Sequence, residues 1–177
     1  EVIFDENERG DIVIHVEKDP LIFASQAHHT IKISQDNVPV LYWELLRAYL
    51  KNYTSINIEG ENVSVLAAPV LKQLNNFIGL NVMEQTRNTI VLKNFSAQDT
   101  ETSPYALLKK IDVGVRAMWE SIGTFFERGF NQEDVIELQS QHDYNKRVYV
   151  FALKIISSIT DNSSLMRTFK TDYPQLM

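Results

Sequence analysis

Apolar and polar residues alternate over Val2 to Phe4 and Asp11 to Glu17, and Asn7 to Gly10 between them is turn-forming, which predicts a β-hairpin. Thr30 to Ser34 is a third candidate strand. It is set apart by Asp19-Pro20, where proline removes a ladder donor and biases the preceding residue to extended geometry. At Asn37-Val38-Pro39 the period changes: Val38, Leu41, Leu45 and Tyr49 share a stripe, with Tyr42, Leu46 and Leu50 beside it, as in a helix lying on a sheet. Ile56 and Ile58 alternate with polar neighbours and mark a strand that ends at Gly60. A second helix is expected to start between Asn62 and Pro69 and to run through Val70, Leu71, Leu74, Phe77 and Ile78 to a stop at Gly79. Val82 to Thr86 and Thr89 to Lys93 read as two strands joined by Arg87-Asn88.

Ser96 to Thr102 is polar and aperiodic, and it divides an α+β domain, residues 1–98, from a helical domain, residues 99–177. Ser103 caps the next helix and Pro104 takes its first position. Leu108, Ile111, Val115, Met118, Ile122 and Phe125 then recur at three and four residues, and Gly129 ends the run. Asn131 and Asp134 have the spacing of a capping box, after which Val135, Leu138, Tyr149, Ala152 and Ile156 continue a similar seam. The fold class this predicts is α+β: an N-terminal sheet with two packed helices, then a long antiparallel helical hairpin over Pro104 to Phe126 and Gln132 to Ser158. Ile111, Val115, Met118, Leu138, Ala152 and Ile156 are expected to be buried between its helices.

Composition narrows the function classes. The apolar fraction of 44% suffices for a real core. A net charge of −6 with no block of Lys and Arg argues against nucleic-acid binding by this segment. Without cysteine there is no disulfide, thiolate metal site or Cys nucleophile. No apolar run reaches the ~20 residues of a membrane span, and EVIFDENERG has no signal-peptide pattern, so a cytoplasmic location without membrane insertion is expected. The six glycines show no phosphate-loop spacing, and no Gly-x-Ser-x-Gly occurs. A non-enzymatic protein without a cofactor is the resulting expectation.

The second long helix carries one conflict: His142 and Asn145 stand where its seam wants apolar residues, flanked by Asp143, Lys146 and Arg147. A polar cluster that fixes helix register is the plain reading, and a metal site the sharper one. His28-His29 in an extended segment point to opposite faces and make no ligand pair. The hairpin also has more apolar residues than one seam can bury: Leu107, Val113, Trp119 and Phe126 lie off the first stripe, and Val148, Phe151 and Ile155 beside the second. Trp119, Phe126, Val148, Phe151 and Ile155 are therefore the candidate interaction surface. A homodimer built mainly from the helices after Ser103 would cover it.

Three runs also resemble one family. LLRAYLKNYTSINIEG, residues 45–60, looks like a helix-to-strand step of the archaeal PhoU-type phosphate-uptake regulators. GLNVMEQTRNTIVL, residues 79–92, is similar to their two-strand signature, and SPYALLKKIDVGVRAM, residues 103–118, to their first PhoU helix. The resemblance implies part of a helical bundle in a partial chain. Many such proteins begin with an AbrB-like DNA-binding domain, and EVIFDENERGDIVI resembles its last strands. It implies a regulatory role in phosphate uptake or signalling through protein partners, transport components among them. The alternatives it leaves are the dimerisation and sensor part of an AbrB-type transcription regulator, or a metal-binding sensor. The family carries an acidic i, i+4 pair that can hold metal; aligned on Arg147 to Tyr149, those positions fall on His142 and Lys146. An ammonium opposes a divalent cation, which leaves His142 and Asp143 as metal candidates, about 100° apart on the helix.

Overall fold

The computed structural model describes residues 2–6, 12–16, 28–96, 103–161, 166, 167, 170 and 171. The turn at Asn7 to Gly10, the Asp19-Pro20 break and residues 97–102 of the expected linker lie outside the described residues. Strands β1 (Val2–Glu6) and β2 (Ile12–Val16) pair antiparallel as their own two-stranded sheet. β3 (His28–Lys32) leads through a 3-10 turn, Gln35–Val40, into α1 (Leu41–Leu50) and on to β4 (Ser55–Glu59), which lies parallel to β3. β5 (Leu80–Gln85) and β6 (Thr89–Asn94) form the expected hairpin and complete a four-stranded sheet in the order β3-β4-β6-β5.

One face of that sheet is apolar because the strands are in register: Ile31 is opposite Ile58 and Ile58 opposite Ile90, while Ile56 is opposite Leu92. All of these are buried, with Leu41, Leu45, Ala48 and Tyr49 of α1 in the same core. The expected second helix is broken into α2 (Val63–Leu66), α3 (Ala68–Leu71) and a 3-10 turn, Leu74–Asn76. Pro69 explains the break: it lacks the N–H that would continue the ladder, and its ring crowds the preceding turn. Gly79 ends this stretch at φ +82°, and a Cβ there would come within 2.8 Å of the Ser96 backbone nitrogen, so a close approach and a left-handed φ both require glycine.

α4 (Pro104–Arg128) and α5 (Gln132–Thr160) are the long antiparallel pair, of 25 and 29 residues. Ser103 accepts from the Ala106 N–H, and Asn131 and Asp134 exchange both bonds of the capping box at 3.0 Å. Arg128 pairs with the buried Asp134 carboxylate and lies over the Phe125 ring, which fixes the turn between the helices. The second half of α5 packs on α1 and on the 74–76 turn, and Val148, Val150, Phe151, Ala152 and Ile155 belong to the same core as the sheet. The hairpin and the sheet layer thus share one apolar core among the described residues.

The α4–α5 seam differs from the expected one. Ala152 is buried and Ile111, Met118 and Leu138 are half-buried, but Val115 and Ile156 are exposed. The reason is Gly114, where a Cβ would stand 2.0 Å from Asn145 Oδ1. α5 lies against this glycine notch, so the contact line runs through Gly114–Asn145 and Ser121–Gln141 and rolls the Val115 side of α4 outward. Gly114→Ala should therefore destabilise the chain by about 1–3 kcal/mol, with part of the loss recovered in the double variant with Asn145→Ala. Urea unfolding of both singles and the double measures the coupling, and additive losses would refute the notch.

Candidate functional site

Rolling α4 outward opens an apolar groove of about 450 Å³ along the hairpin. Ile111, Val115, Met118, Trp119 and Ile122 line it from α4, and His142, Asn145, Lys146 and Tyr149 from α5. Trp119 is 69% exposed, and Phe126, two turns further along α4, is 75% exposed. Asn145 is buried at the groove floor: its Nδ2 donates to Met118 Sδ at 3.1 Å, and its Oδ1 rests against Gly114 with no hydrogen-bond donor.

A second cleft, of about 380 Å³, lies on the far side of Lys146, between α5 and the 72–76 stretch. Lys72, Lys146 and Arg147 line it with the amides of Gln73, Asn75 and Asn76 and one acid, Asp143, which accepts from Gln139 at 2.9 Å. His142 and Asp143, the metal candidates, therefore face different clefts. Among the described residues no three His, Asp or Glu side chains converge.

The candidate interaction residues also separate. Trp119 and Phe126 stand at the surface, whereas Val148, Phe151 and Ile155 are buried and are not available to a partner. Their i, i+3, i+7 spacing places them on the face of α5 that α1 and the 74–76 turn cover. What reads in sequence as surplus apolar surface on α5 is the attachment of the hairpin to the sheet layer.

That attachment has a polar centre that periodicity did not reveal. Lys154 interrupts the apolar run FALKII and is 1% exposed. Its ammonium donates to the Ser96 carbonyl at 2.6 Å, to Ser96 Oγ at 2.7 Å and to Asn94 Oδ1 at 3.3 Å, and it lies 4.9 Å from the Tyr49 ring centre. Asn94 Nδ2 in turn donates to the Tyr53 carbonyl, and the Tyr49 hydroxyl to the Ile78 carbonyl at 2.8 Å. Burial pushes the Tyr49 hydroxyl well above the ordinary tyrosine value, against a smaller opposing effect of Ser96. The one sequence signal for this knot is a lysine where an amphipathic stripe wants an aliphatic residue, a pattern as common on solvated faces.

His29 stacks on Tyr53 at 4.6 Å, at the edge of a shallow pocket with Arg47 and Lys51. His28 is exposed. No helix among the described residues is long and apolar enough to cross a membrane. No family model matches the chain, and no match was found to a curated protein or to a solved structure.

Two outcomes follow from the knot. Lys154→Ala should destabilise the chain by about 1–3 kcal/mol, because it leaves buried acceptors on Ser96 and Asn94 without that donor; thermal unfolding checks it, and a neutral effect would refute the assignment. Tyr49 titrates with a raised pKa in the fold, so the neutral phenol is the form the fold favours. Its contribution is complete below the unfolded value of about 10 and is lost as pH rises toward the folded value. Stability measured from pH 8 upward should fall on the alkaline side, with a shallower fall in Tyr49→Phe.

Proposed function

We propose that the protein is a non-enzymatic regulatory module of the PhoU kind, which acts in the control of phosphate uptake by presenting the groove of its helical hairpin to a protein partner. The observation that carries the docking reading is the exposure of Trp119 and Phe126 beside an apolar groove. Buried aromatic anchors are where protein interfaces concentrate their binding energy, and a soluble surface rarely leaves such residues together without use. The physiological setting rests on the resemblance of residues 45–60, 79–92 and 103–118, and the α+β layer followed by a long helix pair is compatible with it.

The separate β1–β2 sheet favours a second reading, in which those strands end an AbrB-like DNA-binding domain and the rest of the chain is its dimerisation and sensor part. AbrB-type sequence encoded directly upstream would support it. In the first reading, deleting the gene should alter how phosphate uptake responds to external phosphate. Wild-type protein should restore that response, and a Trp119→Glu, Phe126→Glu variant with unchanged circular dichroism should not. Unaltered uptake after deletion would end the phosphate role, and full complementation by the variant would end the docking role of the groove.

A further inference from the structure

The docking reading leaves the occupant of the groove open, and the charges on α4 identify one. Lys109, Arg116, Glu120 and Glu127 follow each other at i, i+7, i+11 and i+18 on a continuous α-helix, so they form a single stripe about 20–40° wide. All are exposed, and the stripe borders the side of α4 that carries Val115, Trp119 and Phe126. The order along it is cation, cation, anion, anion, symmetric about Met118. Reversing the helix about that residue places Lys109 opposite Glu127 and Arg116 opposite Glu120. In antiparallel helix pairs the charged positions beside the apolar seam meet their own counterparts, and such pairs set orientation and register.

Glu127 stands in the last turn of α4, at the negative end of the helix dipole, where a carboxylate is unfavourable. No ion pair within contact distance holds Glu127, Glu120 or Lys109 among the described residues; Arg116 is held by Asp112 on the same helix at 3.0 Å and feels Glu120 one turn further on as a weaker, longer-range attraction. Asp112 itself would face Thr124 across the same axis, so the reversal brings no carboxylate against another.

We infer that the occupant of the groove is a second copy of this chain, bound through α4 in an antiparallel arrangement with a two-fold axis at Met118. This rests on the docking reading and names its partner. Each Trp119 then covers the groove of the other copy near the axis, and both charge contacts occur twice. A single helix about 37 Å long and about 11 Å wide presents roughly 400 Å², below the ~800 Å² per partner of a standard interface, so the pairing is of the weaker, concentration-dependent kind.

The experiment is sedimentation velocity on the full chain from 1 to 100 μM, at low and high salt. The expected species is a dimer, of twice 20.4 kDa, that weakens as salt screens the charge pairs. Glu120→Lys with Glu127→Lys should raise the dissociation constant by roughly tenfold or more, as should Lys109→Glu with Arg116→Glu. Mixing these two variants should give a heterodimer, and all four changes in one chain should restore the homodimer. Circular dichroism establishes that each variant folds. A dimer insensitive to every charge reversal, or one that the fourfold variant does not restore, would overturn the antiparallel register. A wild-type monomer at all concentrations would overturn self-pairing. If Trp119→Glu, Phe126→Glu still fails to complement in that case, the groove serves a different protein; if it complements, the docking reading fails with it.

Discussion

A buried ammonium must keep its hydrogen bonds, and from that constraint on Lys154 the placement of the hairpin follows. Removing a charge from water costs several kcal/mol unless polar partners replace the water. Here the partners come from the end of β6, through Asn94 and Ser96, and the Tyr49 ring of α1 lies alongside. They cannot be exchanged for neighbours one turn away, because an apolar contact tolerates sliding and a hydrogen-bonded cation does not. The apolar residues around Lys154 hold α5 against α1, while the ammonium sets where along α1 it sits. Gly79 belongs to the same arrangement, since only a residue without Cβ lets the chain pass Ser96 at this distance.

Once its second half is fixed in this way, α5 has two tasks on two faces. Val148, Phe151 and Ile155 are consumed by the sheet layer, and Asn145 by α4. α5 nevertheless leaves Val135, Ile136, Tyr149 and Ile156 exposed. The most exposed aromatic side chains of the hairpin, Trp119 and Phe126, are on α4, which packs on α5 alone along most of its length and is rolled outward by the Gly114 notch. The exposure of Val115, Trp119 and Phe126 follows from a polar residue, Asn145, that the seam accommodates by giving up a side chain on the opposite helix.

These relations set the limits of what periodicity discloses. The strands, the α1 stripe, both long helices and their caps are legible, because each depends on spacing within a single segment: Ile56 and Ile58 alternate, Leu41, Leu45 and Tyr49 recur, and Asn131 and Asp134 stand three apart. The broken α2–α3 stretch is half legible, since Pro69 announces a break without saying on which side the helix survives. Which apolar stripe of a helix finds a partner is not legible, because the stripe facing α1 and the stripe facing solvent have the same composition. Val148, Phe151 and Ile155 look like Trp119 and Phe126 in sequence and differ only in what the fold lays over them. Lys154 is the extreme case, a residue type almost always solvated whose burial depends on groups 58 and 60 positions away.

Charge along the hairpin follows a different rule from charge in the chain as a whole. The protein is acidic, yet Lys109, Lys110, Lys146, Arg147 and Lys72 gather where the hairpin meets the sheet layer, and Glu120, Glu127, Glu133 and Glu137 toward its far end. The helix dipoles do not produce this, because two antiparallel helices of similar length cancel to first order. The capping box accounts for Asp134 and the first-turn position for Glu133 at the start of α5, and pairing with Asp134 accounts for Arg128. Lys110 and Arg147 lie over the Tyr144 ring and Glu137 accepts from Gln141, which leaves Lys109, Glu120 and Glu127 as the members of the pattern that no ion pair holds among the described residues. An elongated body with opposite charge at its two ends and an apolar strip between them repels a parallel copy of itself and attracts a reversed one. The order of charges on α4 and the exposure of its apolar edge are thus two sides of one arrangement.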